Sequence, residues 1–372
     1  MNPKAFLVAM GLAALAGLVV AHREAAGEVP TRAGDYQALE PIRHGNLTVF
    51  PVVAARSYDT SEFLTLDEGL RSGEVVVTES GNVQGLIRRP PHGGAALPPH
   101  TGPQVNTLVL VNNSKRPLLL LAGEIVTGGK QDRVIAKDRI VPPESDPIDL
   151  GVFCVEPGRW VASSDNFGSL KMAIAAPSVR GSAMADKDQQ KVWDQVGRTK
   201  DQMTVEVEAA APPSAAPAAG RELRSTTSYA KVMQNPAVQQ QVDAVAKPVE
   251  ESYASTIRQL RDRHAVGVVV AVSGQIVWAD IFASTSLLEK YWPKLVRSYA
   301  TEAVVTRAKG AQVSEKMAEE FVERIEGHHQ TVDSEPGLYQ HTEIWGDGFK
   351  AFALTSLLPK TGFAVHIAKM AE

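Results

Sequence analysis

The chain carries a single thiol. Cys154 is the only cysteine in 372 residues, so no disulfide can form within one chain and no lipid-modified cysteine follows the N-terminal apolar run. Charge of one sign is equally scarce. Lys and Arg total 38 against 42 Asp and Glu, giving a formal net charge of −4 and a pI near 6.2. No lysine- or arginine-rich run and no acidic tail breaks that balance. A protein that holds nucleic acid by neutralising phosphates is therefore not expected.

Familiar reaction signatures are also missing. There is no HExxH, CxxC or repeated-Asp pattern, and His328 and His329 are neighbours that would face opposite sides of a strand. Gly128-Gly129-Lys130 is not a phosphate loop. That motif needs a glycine where Glu124 stands and a Ser or Thr where Gln131 stands. Neither a nucleophile elbow nor a dinucleotide fingerprint appears. No metal and no cofactor is expected from these patterns.

What is present is presentation chemistry. Leu121 to Thr127 reads as an apolar strand that runs into Gly128 and Gly129, followed at once by Lys130, Gln131, Asp132 and Arg133. Glycine permits positive φ and close approach, while the four polar side chains supply donors, an acceptor and fixed charge. Two readings stay open. Lys130 and Arg133, with Arg159 and the glycine amides, could receive a phosphate or carboxylate. Alternatively, Asp132 and Arg133 pair with Glu124, Lys137 or Asp138 in an ion network that closes a turn.

A second segment, Val152-Phe153-Cys154-Val155-Glu156-Pro157-Gly158-Arg159-Trp160, places Cys154 and Glu156 on one strand face. Cys154 is a candidate nucleophile, but a small buried hydrophobe is the first reading, since no histidine is near it in sequence. His341 and His366 are the histidines considered as spatial partners. Arg159 beside Trp160 could stack on a flat ligand or cover a hydrophobic edge. The weak catalytic candidates are thus Glu124, Asp132 and Cys154. The binding candidates are Gly128, Gly129, Lys130, Gln131, Asp132, Arg133, Glu156, Arg159 and Trp160.

These two segments resemble the ARG-and-rhodanese-phosphatase-superfamily-associated protein domain family. Leu66-Asp67-Glu68-Gly69-Leu70, the Val268 to Phe282 hairpin and the run from Trp292 to Ala300 extend the likeness over roughly residues 45 to 370. The family's name records neighbourhood with ADP-ribosylglycohydrolases and rhodanese or phosphatase proteins. The resemblance implies motif positions and assigns no catalytic role.

Residues Ala5 to Ala21 form an uncharged run behind Lys4, with the small-residue pattern Val19-Val20-Ala21 before His22. Export through a cleaved signal is the first reading, and an uncleaved anchor at the lower limit of spanning length the alternative. Contact with a membrane is expected only through that segment. Residues 22–44 read as a lead-in, and 45–180 as β-rich, with loop chemistry at 90–103. A helical segment follows over 181–264, begun by Asp186 as N-cap and interrupted by a flexible Ala/Pro-rich linker at 205–220. Asn235-Pro236 and the region of Pro248 each start a helix. Residues 265–372 read as hairpins and a meander packed with helices, including a Ser273-Gly274 turn and a helix capped by Ser314. Asn106 to Val111 and Pro117 to Val126 read as a buried hairpin.

The expected class is α+β: an antiparallel β-rich N-terminal part, a helical middle and C-terminal hairpins. The expected function is an exported protein that binds a small anionic or ADP-ribose-like ligand, or a protein partner. The alternatives are a hydrolase acting on a phosphorylated or ADP-ribosylated substrate, and a structural envelope protein.

Overall fold

The computed structural model describes residues 35–79, 107–159, 161–306, 310–324, 327–335, 337–359 and 361–372. The N-terminal apolar run, the loop at 90–103 and Trp160 lie outside the described residues. No described helix is long and apolar enough to cross a membrane.

Three sheets carry the fold among the described residues. Strands β1 (Tyr36–Ala38), β2 (Ile42–His44) and β3 (Leu47–Ala54) open the described chain. They join β13 (His264–Val272), β14 (Gln275–Phe282), β15 (His328–Glu335), β16 (Tyr339–Gly346), β17 (Phe349–Ser356) and β18 (Ala364–Ala371). The resulting nine-stranded sheet runs β1-β3-β13-β14-β18-β17-β16-β15, with β2 also on β3. A six-stranded sheet, β12-β8-β9-β11-β6-β5, is built from β5 (Val75–Glu79), β6 (Thr107–Asn112), β8 (Glu124–Thr127), β9 (Arg133–Ile135), β11 (Ile148–Cys154) and β12 (Gly168–Ile174). The third sheet holds β4 (Leu64–Thr65), β7 (Leu118–Leu120) and β10 (Arg139–Val141). Pairing is antiparallel except between β4 and β7.

Eight α-helices fill the spaces between the sheets among the described residues. They are α1 (Leu66–Ser72), α2 (Pro177–Gly181), α3 (Gln189–Ala210), α4 (Ala216–Arg224), α5 (Tyr229–Gln234), α6 (Pro236–Arg258), α7 (Thr285–Val305) and α8 (Glu315–Glu323), with a π-helical turn at Ser182–Asp186. The fold is α+β. Its main core lies between the nine-stranded sheet and α3, α6 and α7, where Val268, Val270, Trp278, Val242, Leu295 and Tyr299 pack together. A second core on the opposite face of that sheet is closed by Ala318 and Val322 of α8.

Local chemistry accounts for several boundaries. Ser273 (φ 52°) and Gly274 (φ 81°) form the two-residue turn between β13 and β14, and both left-handed φ values suit the twist of a tight hairpin. Thr65 and Glu68 make a reciprocal capping box on α1. Asn235 caps α6 with Pro236 in its first turn, and Ser314 caps α8.

Other expectations are corrected. The runs around Asn106–Val111 and Pro117–Val126 do not form a hairpin with one another, because β6 belongs to the six-stranded sheet and β7 to the three-stranded one. Gly123, at φ 92°, also divides the second run into β7 and β8. The stretch 205–220 is not an extended linker: α3 continues to Ala210 and α4 begins at Ala216. Val207 and Leu223 are buried there, and alanine's high helix propensity makes up for the small apolar area. Pro248 starts no helix of its own. It lies inside α6, whose Ala246 and Val249 are buried on either side of it, so packing overrides the lost amide. The helix expected to start at Asp186 instead begins with Asp188 as its N-cap.

Candidate functional site

The glycine turn joins β8 to β9. Gly128 (φ 140°) and Gly129 (φ 48°) both occupy left-handed conformations, and neither has room for a side chain. A Cβ on Gly128 would stand 2.6 Å from the Ser164 hydroxyl, and one on Gly129 2.3 Å from the Phe167 ring. Carboxylates of the chain itself take up the amides of the turn. The Gly128 amide donates to Asp132 Oδ1 at 3.2 Å, and the Lys130 amide donates to Glu79 Oε1 at 2.9 Å. Glu124 and Asp138, named as partners for Asp132 and Arg133, pair elsewhere, with Lys294 and His366.

Arg159 is the staple of this region. Its guanidinium reaches Glu156 at 2.7 Å and Asp132 at 3.4 Å. It also donates to the carbonyls of Gly129, Val161 and Gly128. Its terminal N–H groups are spent on the loop, so Arg159 offers a ligand fixed charge more than free donors. Arg133 is buried and donates to the Asp132 carbonyl at 3.4 Å; burial pulls its pKa down. Gln131 is buried with both ends of its amide unpartnered among the described residues. Neither side chain is placed to meet a solvent-borne anion.

Asp132 is the best-placed acid. Its second oxygen accepts from the Ser228 hydroxyl at 2.8 Å, and its backbone amide donates to Glu156 Oε2 at 3.1 Å. Burial, reinforced by the neighbouring Glu156 carboxylate, pushes the Asp132 carboxyl above its ordinary range. Sequence reasoning finds no Ser-x-x-Lys nucleophile, yet Ser228 and Lys231 carry that spacing. Ser228 is buried, caps α5 and accepts from the Lys231 amide, so its hydroxyl serves the helix end. Lys231 is exposed, and its ammonium has no ion pair among the described residues.

These groups surround a cleft of about 350 Å³, lined by Asp132, Glu156, Arg159, Ser163, Lys231 and Gln234 among others. The two acids are nearly closed off, at 9% and 3% side-chain exposure for Asp132 and Glu156, while Arg159 keeps 21%. The accessible charge on the cleft surface is therefore cationic, above a buried acidic layer.

The other two catalytic candidates do not join Asp132 as a reacting set. Glu124 is buried and paired to Lys294 at 2.8 Å. Lys294 also meets Asp67 at 2.7 Å. Burial raises the Glu124 pKa. Burial opposes charge on Lys294 too, yet the two carboxylates carry its pKa upward. Cys154 is buried, accepts weakly from the Glu156 amide and has its thiol pKa pushed up by burial. An activated thiolate would show the opposite shift. Among the described residues, no three His, Cys, Asp or Glu side chains converge as a metal cage.

Sequence reasoning missed the most heavily charged site in the core. Arg180 grips Asp280 through two bonds of 2.9 Å. Asp280 also accepts from Tyr299 and from His366, the latter at 3.1 Å, and the other His366 nitrogen meets Asp138 at 2.6 Å. Asp138 accepts the Ala122 amide at 2.7 Å. Arg180, Asp280, His366 and Asp138 are all fully buried. Asp280 and His366 share a sheet face because Asp280 lies opposite Ala368, two residues along from His366. Burial opposes charge on each acid, but Arg180 holds the Asp280 carboxyl well below the carboxylate range, and His366 lowers that of Asp138. Burial likewise opposes the imidazolium, yet Asp138 and Asp280 lift the His366 pKa to about 9.

An α+β scaffold that brackets a buried ion network and presents a glycine-turn cleft is thus the class of protein this structure defines. The chain belongs to the ARG and Rhodanese-Phosphatase-superfamily-associated Protein domain family, whose model matches residues 35–370. No curated protein and no solved structure matches it.

The raised His366 pKa has a definite consequence for stability. A histidine whose folded pKa, about 9, exceeds its ordinary value of 6.5 contributes stability that is complete below the unfolded pKa. That contribution fades as pH rises through the folded pKa. The difference in unfolding free energy between wild type and His366→Gln, measured by urea titration, should narrow across this window by at most about 1.4 kcal/mol per pH unit. A difference that stays constant with pH would show that His366 is neutral in the folded protein.

Proposed function

We propose that the protein is an exported ligand-binding module whose ligand is a small anionic, hydroxylated molecule held in the cleft beside the glycine turn. The carrying observation is the layering of charge there. Asp132 and Glu156 lie beneath the surface and are offset by Arg159, whereas the exposed Lys231 ammonium at the rim has no partner among the described residues. A cation without a counter-ion, beside Ser163 and Gln234, suits a carboxylate or phosphate attached to a polar body. We assign the anion to Lys231 in preference to the buried Arg133 and to the Gly128 amide, which is bonded to Asp132.

Lys231 is exposed and its side chain supports nothing else described, so Lys231→Ala should fold normally. Thermal unfolding against ADP-ribose, sugar phosphates and small carboxylates tests the reading. Saturation at a hundred times the dissociation constant should add about 2.7 kcal/mol to the wild type, and most of that shift should vanish in Lys231→Ala. No shift with any anion, or a shift that survives the substitution intact, contradicts the proposal.

Export rests on the uncharged run Ala5 to Ala21 followed by His22. N-terminal sequencing of the protein recovered from the cells that make it should read a chain starting at or near His22. An intact Met1 terminus on protein in the cytosolic fraction would contradict it.

A further inference from the structure

A pocket of about 540 Å³ opens on the outer face of the nine-stranded sheet, between α8 and the turn joining β16 to β17. Ile276, Met317, Phe321 and Phe349 supply apolar wall, and Lys369 of β18 also lines it. Lys369 stands in register with Ala279 on one side and Ala351 on the other, so its side chain rises from the face that α8 covers. The residue is only 4% exposed. Its amine donates to the main-chain carbonyls of Phe321 and Arg324 and lies 3.7 Å from the centroid of the Phe349 ring and 4.4 Å from that of Phe321.

What sets this lysine apart is that no counter-ion meets it among the described residues. Lys294, buried to a similar degree, is held by two carboxylates, whereas both hydrogen-bond partners of Lys369 are neutral carbonyls. The titratable groups around the pocket are Glu320, Glu323, Arg324 and Asp347. Glu320 is drawn to Lys316, and Asp347 to Arg324. Burial and the neighbouring Arg324 cation work against the ammonium, the two ring faces and the carbonyls work for it, and the neutral amine is accessible near neutral pH. In that form two N–H bonds still serve the two carbonyls and the nitrogen keeps its lone pair. Burial, with the Arg324 charge adding to it, brings the Lys369 pKa down to about 7.

We propose that Lys369 is a nucleophilic amine that captures small aromatic or apolar aldehydes in this pocket. The Nζ lone pair attacks the aldehyde carbon, and the carbonyl oxygen takes up a proton as the carbinolamine forms. Loss of one water leaves the imine, with no oxidant or reductant required. Phe321, Phe349, Met317 and Ile276 would hold the apolar body of the aldehyde. The competing structural role is that of a charged cap on the C-terminal carbonyls of α8.

The two roles separate in a labelling experiment on the full-length wild-type protein. Benzaldehyde at equimolar amount is added near neutral pH with cyanoborohydride, which reduces any imine to a stable secondary amine, and the modified lysines are mapped by peptide mass spectrometry. Lys369 should carry roughly tenfold more label than the exposed Lys316, since an ordinary lysine is almost wholly protonated there. Its labelling rate should rise with a midpoint near pH 7. Label spread over exposed lysines, an unmodified Lys369, or a Lys369 rate that rises only toward about pH 10 would overturn the proposal in favour of the helix cap.

Discussion

The fully buried chain of charge from Arg180 through Asp280 and His366 to Asp138 is the constraint on which the rest of the structure depends. Its members come from four places: α2, β14, β18 and the loop leading into β10. Each ion would be costly alone in a dry interior, and only the complete set repays the desolvation. The arrangement therefore fixes how the β-rich part meets the nine-stranded sheet. Gly123 shows how tightly it is fitted, for a Cβ there would stand 2.6 Å from the Arg180 side chain. Trp278 covers the guanidinium at 4.5 Å from the ring centroid, and Phe282 packs against the His366 ring. A second network, in which Lys294 of α7 meets Glu124 of β8 and Asp67 of α1, ties α7 to the β-rich part.

The cleft inherits its shape from these anchors. With Glu124 drawn inward to Lys294, the far end of β8 is left to turn at Gly128 and Gly129, and Asp132 closes that turn. Arg159 then staples the following loop to the turn and offsets the acids below it. Charge at this site is thus mostly committed to structure. Among the described residues lining the cleft, Lys231 is an exposed cation with no ion pair. The Lys369 pocket lies on the other side of the nine-stranded sheet, so its chemistry is independent of the cleft.

Much of the fold could be read from the sequence because it was written in local chemistry. The Ser273-Gly274 turn, the Asn235-Pro236 helix start, the Ser314 cap and the C-terminal meander all follow from residues close together in the chain. The pairing of β3 with β13 does not, since it joins residues more than two hundred positions apart, and periodicity says nothing about such partners. Alanine-rich 205–220 misled because composition alone does not show that Val207 and Leu223 find a neighbouring core. At the site, Asp132, Glu156 and Arg159 were legible as a polar group, but their mutual satisfaction was not. His366 and Asp280 look like isolated polar residues in apolar strands, and only the β14–β18 register brings them together.

The most direct test of the central claim is a double-mutant cycle on Asp138→Asn and His366→Gln, with unfolding free energies measured in urea. If the buried charges act as a unit, the two substitutions should show a coupling energy above about 1 kcal/mol, the double variant losing clearly less than the sum of the singles. Costs that add to within about 0.5 kcal/mol would mean that Asp138 and His366 contribute separately, and that the buried charges do not act as a unit.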